Sequence, residues 1–434
     1  MPAPGRQEEL HARAWRALTE LASPERQDVC AFHVPGRVEF LGKHTDYAGG
    51  RSLLCTIERG IVVVASTRRD RAIRVIDAIN GDVVEGELDP SLPMEVGHWS
   101  SYPFTVARRL ARNFPGPLRG ADLAIASDLP PAAGMSSSSA LVVATFLALS
   151  EINSLAERTE YLEEIGSPEA LAGYLGAVEN GPSFGSLAGD VGVGTFGGSE
   201  DHTAMLCGRA EMLVRYGFCP VRLEGAVPLP PDQVLVIASS GVAAAKAGGA
   251  REQYNRASFA TAQIARLWRE ATGRDDATLA SAVRSSPSAV AELRELLSRS
   301  NTAEKSFLLD RLDQFVLESE EIIPAAYDAL AADDLSRLGH LVDRSQRAAE
   351  RLLGNQIAET IWLSQRAREL GADAASAFGA GFGGSVWALV PAATAMDFRR
   401  QWEREYGTRF PAAARYADFF VTRAGPAARR IGGA

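Results

Sequence analysis

Apolar and polar positions along this chain follow two rhythms, and the changes between them outline its organisation. Residues 7–27 read as an amphipathic helix, followed by a strand that leads into a polar loop at 35–50. The run SLLCTIERGIVVVASTR (52–68) is rich in β-branched residues and predicts strand, turn, strand, with a further strand in AIRVIDAI (72–79). The spacing turns helical from Tyr102 to Asn113, and ADLAIASDLP (121–130) returns to strand. Residues 153–178 are helical with mixed charge, and 219–225 with 233–240 look like an antiparallel pair joined by a Pro-rich turn. Helical patterns dominate 241–370, with breaks near 285 and 325; a glycine-rich loop then feeds an apolar strand within 371–391, and the chain closes with helix and strand. Short strands and long helices without regular βαβ spacing predict an α+β fold rather than a doubly wound sheet. A chain of 434 residues exceeds the usual single core, so two domains are expected, 1–206 and 207–434.

The stretch PAAGMSSSSA (131–140) is the densest chemical signal. Its small residues permit a tight turn, and the apolar run behind it predicts a helix beginning near Ser136. Backbone N–H groups and serine hydroxyls at the positive end of a helix form a phosphate cradle; a Ser-rich helix cap is the plainer alternative. Glycine-rich segments recur at 42–50 and 379–384, and GDVGVGTFGGSEDHTAM (189–205) is a fourth loop of small residues. None is G-x-x-x-x-G-K-[ST] and none is a clean dinucleotide fingerprint. Together they suggest a cleft assembled from both domains.

Arg37, Glu39, Lys43, His44, Asp46 and Tyr47 crowd into eleven positions, a density that points to a ligand rather than to an Asp-stabilised turn. Asp46 can accept two sugar hydroxyls and His44 can share another. Arg37 can sit against a transferring phosphoryl group. Asp201, in GGSEDH, can orient a hydroxyl and take its proton; Glu200 beside it, or Asp201 itself, can instead help hold magnesium. His202 reads as a local hydrogen-bonding residue. His44, Asp46, Asp201 and His202 lack the spacing of a known zinc motif.

A net charge of −9 argues against a nucleic-acid surface, while a phosphate ligand still fits, because backbone donors set the local field. Cys30, Cys55, Cys207 and Cys219 have no metal or redox spacing, which suggests reduced thiols in a cytoplasmic protein. The N-terminus lacks the apolar core of a signal peptide, and no run approaches the ~20 apolar residues of a membrane span.

With PGRVEFLGKHTDYAGG (35–50), PAAGMSSSSA and FGAGFGGSVWALV (378–390) in this order, the sequence resembles the galactokinase branch of the family that also includes homoserine, mevalonate and phosphomevalonate kinases. The resemblance spans nearly the whole chain. It implies an N-terminal domain like the second domain of ribosomal protein S5, a C-terminal ferredoxin-like α+β domain, and a cleft holding Mg-ATP and a sugar. It further implies transfer of the γ-phosphoryl group to an anomeric hydroxyl, with galactose as the first-choice substrate. By position, Asp201 would be the catalytic carboxylate and Arg37 its cationic neighbour. Lys43, His44, Asp46, Gly198 and Tyr254 would face the sugar. Gly134, Met135, Ser136, Ser137, Ser138 and Ser139 would wrap the ATP phosphates, Trp99 would line the adenine pocket, and Ser138 with Glu200 would contact magnesium. Gly379, Gly381, Gly383 and Gly384 would support the cleft. The partners implied are ATP and a small sugar, without nucleic acid or membrane, in a monomer or weak homodimer.

The departures concern the sugar. Lys43 stands where galactokinases carry a Glu that faces the C6 hydroxyl, and Glu39 replaces the usual Asn. A cation at 43 suits a carboxylate-bearing sugar, points to solvent, or forms an internal pair with Glu39. Ala132 replaces the first glycine of the phosphate motif, GGSEDH differs from a GIMDQ-like run, and YNRAS lacks a double arginine. Arabinose, a uronic acid or another hexose are therefore alternative substrates, and a silent sugar and ATP sensor is the alternative of a different class. HTDY speaks against mevalonate and homoserine, which present no ring of hydroxyls.

Overall fold

The computed structural model describes residues 5–22, 25, 28–130, 133–242, 249–300 and 302–432, so Ala132 lies outside the described residues. Two sheets organise the chain. The first contains β1 (Val29–Leu41), β2 (Arg51–Thr67), β3 (Ala72–Asp77), β4 (Val83–Glu87), β5 (Ala121–Ser127), β6 (Met212–Gly217), β7 (Arg222–Pro228) and β12 (Arg429–Ile431). Its order is β12-β1-β2-β5-β3-β4, with β6 paired to β2 and β7 to β6. The second contains β8 (Gln233–Ser239), β9 (Ala374–Phe378), β10 (Ser385–Pro391) and β11 (Asp418–Thr422) in the order β11-β8-β10-β9.

Three expectations are corrected here. The run at 52–68 is one continuous strand instead of strand, turn, strand. Gly60 lies inside it, where a Cβ would stand 2.3 Å from the Val34 carbonyl oxygen, so the glycine serves close strand approach rather than reversal. Residues 222–228 pair with 212–217, not with 233–239, which belongs to the other sheet. The chain is also not divided at 206/207, because β6, β7 and β12 return to the first sheet and complete it.

Helix α1 (Arg6–Ala22) packs Leu10, Ala14 and Leu18 onto one face of the first sheet, against Val62, Val64 and Ala124. The other face is covered by α2 (Ser101–Asn113), α3 (Ser137–Ile152) and α5 (Pro168–Asn180), the last two linked by short α4 (Thr159–Glu164). Strand alternation separates these two cores. The short α6 (Glu200–Cys207) then enters from the loop at 189–199. A helical layer follows: α7 (Gly249–Thr272), α8 (Leu279–Val283), α9 (Ala289–Arg299) and α10 (Lys305–Phe315) close their own core around Ile264, Trp268, Leu293 and Phe315, with Ala48 inserted from the 42–50 loop.

The expected break near 285 is present between α8 and α9, but the one near 325 is not. Instead α10 widens into a π-helical turn (Val316–Ile322) and continues as α11 (Ile323–Ala331), with Pro324, which has no N–H to donate, directly after the widened turn. Helices α12 (Leu335–Ala348), α13 (Ala358–Glu369) and α14 (Ala395–Arg409) complete the second unit. Phe40 of β1 stacks on Trp387 of β10, with ring centroids 4.0 Å apart, and both rings are fully buried. Each contributes about 2–3 kcal/mol by burial, which ties the two sheets together beside the cleft.

Candidate active site

Period-two alternation on β1 turns Arg37 and Glu39 to the same side, where they line a cavity of about 560 Å³. Both Arg37 Nε and Nη2 lie 2.7 Å from Asp201 Oδ1, and Nη1 donates to the Gly134 carbonyl oxygen. Ser136 Oγ and Ser139 Oγ donate to the other carboxylate oxygen of Asp201, at 2.5 and 3.2 Å. Both oxygens of Asp201 are thereby held. Burial opposes the charge on Arg37, but Asp201, Glu39 and Glu200 outweigh it and raise its pKa. The grip of two serines on Asp201 was not legible in the sequence.

Ser136 adopts a left-handed conformation (φ 55°) and α3 starts at Ser137, with the first intrahelical bond from Ala140 N to Ser136 O. The first-turn amides of 137–139 precede that bond and, with Ser137 and Ser138 in the cavity wall, form the cradle expected of this stretch. Gly134 (φ +76°) is pressed against the glycine-rich loop 379–384, since a Cβ there would meet Phe378 O at 3.2 Å and Gly384 Cα at 3.6 Å. Gly379 lines the cavity, while Gly381 approaches Asn355 and, with Gly383 and Gly384 at positive φ, shapes the loop. Met135 is corrected as to its side chain alone, which is 1% exposed, belongs to the hydrophobic core and does not line the cavity, leaving only a backbone part in the loop.

In the 42–50 loop, Asp46 lines the cavity and accepts from the Glu200 amide at 3.1 Å. Burial raises its pKa. The Gly198 backbone is packed against Asp46, and Tyr254 approaches from α7, its ring 5.1 Å from that of His44. His44 is in the wall, but both of its nitrogens have protein partners: Nδ1 accepts from Tyr47 Oη at 2.8 Å and Nε2 donates to Ala380 O at 3.0 Å. Burial, reinforced by Arg311, pushes its pKa down to about 3, so it is neutral. His44 therefore braces the loop instead of offering a free nitrogen to a sugar.

Lys43 is a second correction. It is 1% exposed, does not line the cavity, and donates from Nζ to Ser345 Oγ of α12 at 2.9 Å. Its charge pulls the pKa of Glu39 down, consistent with the internal pair. Burial pushes Glu39 up to about 7 against the pull of Arg37 and Lys43, and Glu39 hydrogen-bonds Glu200. Glu200 rises well above its ordinary value through burial and the charges of Glu39 and Asp46, and it accepts from Ser52 Oγ at 2.5 Å. Burial and the neighbouring carboxylates favour the neutral form of Glu200, which makes it a weaker cation ligand than the expected magnesium contact requires.

The oxygen donors that suit magnesium are Ser138 and Glu179, both in the wall; Glu179 is also 3.0 Å from His202 Nε2. Glu179, on the ordinary-looking helix α5, was missed. Trp99 and Tyr102 join Ile61, Ile125, Leu129 and Leu141 in an apolar slot beyond the serine loop, of a kind that accepts a flat base. The residues present thus fit Mg-ATP: an apolar slot, a helix-terminal phosphate cradle and hard oxygen donors in sequence along one cavity.

A phosphate cradle adjoining a carboxylate–arginine pair and a loop of sugar-type acceptors defines a small-molecule kinase. Comparisons with known proteins agree. Residues 22–67 match the galactokinase galactose-binding signature, 101–183 the GHMP kinases N terminal domain and 326–408 the GHMP kinases C terminal. The chain is 32% identical over 369 residues to a galactokinase of Chloroflexus aggregans, covering 84% of each chain. Its fold is similar to that of Lactococcus lactis galactokinase complexed with galactose (TM-score 0.77, 22% identity, 97% of this chain and 100% of that one). It is also similar to that of a homoserine kinase from Cytophaga hutchinsonii (TM-score 0.53, 15% identity, 93% and 98%). The chain belongs to the GHMP kinase family, on its galactokinase-like side. It has that family's two-domain α+β architecture and is a sugar kinase acting on a small molecule. Among the described residues, no helix is long and apolar enough to cross a membrane.

Proposed function

We propose that this protein transfers the γ-phosphoryl group of Mg-ATP to the anomeric hydroxyl of a neutral monosaccharide, with galactose the first acceptor to test. The observation that carries this reading is Asp201, gripped through both carboxylate oxygens where the serine loop and the sugar loop meet. In this reading the anomeric oxygen forms its bond to the γ-phosphorus as the bond from that phosphorus to the β,γ-bridging oxygen breaks and ADP leaves; the hydroxyl proton passes to Asp201, and Arg37 stabilises the charge that develops. Magnesium, held by Ser138 and Glu179, would neutralise the phosphate oxygens. Asp46 and Tyr254 hold sugar hydroxyls, and Trp99 packs on the adenine. The βαββαβ order of the second sheet supports the ferredoxin-like description of that unit.

Galactose rests on the matched signature and on what the relatives are named for. The burial of Lys43 against Ser345 favours a neutral sugar over a uronic acid, because it takes that cation out of the cavity wall, where Arg37 is already paired with Asp201. The test is ATP-dependent ADP release with magnesium on galactose, glucose, talose, arabinose, galacturonate, glucuronate, homoserine and mevalonate. Turnover on galactose or another neutral sugar is expected. Preference for a uronate would overturn the neutral-sugar reading, and silence on all eight would favour a sensor.

A further inference from the structure

Helix α10 and the π-helical turn after it carry Arg311, Gln314, Phe315, Glu318 and Ser319, the i, i+3, i+4, i+7, i+8 spacing of one helix face. That face is ordinarily apolar when buried. Here each of the five is no more than 1% exposed, and four are polar. Their partners lie at both ends of the sugar loop, more than 260 residues away in sequence. Glu318 Oε1 accepts from the Gly42 amide at 2.9 Å. Gln314 Nε2 donates to the Lys43 carbonyl oxygen at 3.1 Å, and Arg311 Nη2 donates to the His44 carbonyl oxygen and to Tyr47 Oη, the latter at 3.3 Å. Ser319 Oγ accepts from the Arg51 amide at 3.0 Å. Phe315 completes the face by packing against the loop's backbone, where a Cβ on Gly50 would meet its ring at 2.7 Å.

The loop needs this support. His44 is a non-glycine residue with φ +60°, flanked by Gly42 at +133° and Gly49 at +77°. A side-chain-bearing residue stays in that region only when its surroundings over-determine it. The Arg311 bond falls on the carbonyl of that same residue, and the Tyr47 hydroxyl it touches is the one that fixes the His44 ring.

We propose that Arg311, Gln314, Glu318 and Ser319 are positioning residues that template the backbone of the sugar loop, so that the helical layer sets where Asp46 meets the sugar. The inference rests on the sugar-kinase reading for its kinetic consequence and on geometry alone for its structural one. Gln314→Leu keeps the shape, removes the clamp bond to the Lys43 carbonyl and takes away the acceptor of Arg311 Nη1, and Arg311→Lys retains the charge while losing the fork. Loss of one such bond should raise the sugar KM about five- to tenfold. The ATP KM and kcat should stay near wild type, with Arg311→Lys affected more than Gln314→Leu. Hydrogen exchange of the amides at 42–51 should quicken in both variants while that of 137–142 does not. A folded Gln314→Leu protein with unchanged sugar KM and unchanged exchange at 42–51 overturns the proposal, as does an equal rise in both KM values. If the wild type phosphorylates no sugar, the kinase reading falls, and the exchange comparison still decides the template.

Discussion

Gly198→Ala perturbs the placement of Asp46 and of the loop backbone beside it at Tyr47. Gly198 does not have a positive φ, so alanine brings no backbone strain and the effect is steric. An ideal Cβ there would lie 2.3 Å from Asp46 Oδ2, 2.6 Å from its Cγ and 2.8 Å from the Tyr47 amide nitrogen, whereas ordinary contact begins at 3.4 Å. The carboxylate has to retreat by about 1 Å, and a misplacement of that size in a positioning group costs about 100-fold, or roughly 2.7 kcal/mol at the transition state. Overpacking adds a stability cost of about 1–3 kcal/mol, which a thermal melt will register as a lowered Tm. Initial rates measured against sugar at saturating ATP, and against ATP at saturating sugar, separate the two ends of the cavity. The sugar kcat/KM should fall about 100-fold while the ATP KM changes by less than about twofold. A folded variant with wild-type sugar kcat/KM would refute the reasoning, because the carboxylate could then not be the group that meets the sugar.

Asp201→Asn keeps one acceptor for Arg37 but replaces the oxygen that receives Ser136 and Ser139 and removes the base; kcat should drop by about 10²–10⁴ with much less change in sugar binding, read by titration calorimetry. Lys43→Glu places the residue typical of galactokinases at that position, yet here it sets another carboxylate near Glu39 and removes a cation that offsets it. It should destabilise the protein by about 3–5 kcal/mol in urea unfolding rather than improve galactose turnover, and an unchanged stability would contradict the internal pair. Glu39 titrates near 7 in the folded protein against an ordinary 4.5, so the folded state binds the proton more tightly. Its contribution is therefore favourable at low pH, is lost as pH rises from about 4.5 to 7, and is flat above; Glu39→Gln should shallow that slope in the pH dependence of unfolding, the raised Glu200 beside it carrying the rest.

Much of the site was legible because it depends on short-range chemistry. A tight turn of small residues opening into an apolar helix, and a crowd of acceptors between glycines, need no distant partner to be recognised, and Arg37, Asp46, Gly134, the serines, Trp99, Gly198, Asp201 and Tyr254 line one cavity. Glu179 and Glu200 look alike in sequence. Only the packing shows that Glu200, though in the wall, is turned to Ser52 and pushed toward its neutral form by burial, Glu39 and Asp46, while Glu179 shares the wall with Ser138.

Sequence alone determined the α+β class, the polar loops and their kind of ligand, since periodicity and glycine placement are local properties of the chain. Tertiary structure decided which way a loop side chain turns and what meets it there. Lys43 leaves the cavity because Ser345 and the helical layer receive it, and His44 is committed to Tyr47 and Ala380. The polar face from Arg311 to Ser319 is likewise indistinguishable, residue by residue, from a solvated helix surface. What makes it a clamp is that backbone groups from residues 42 to 51 take the place of water, and no local pattern encodes a partner more than 260 positions away.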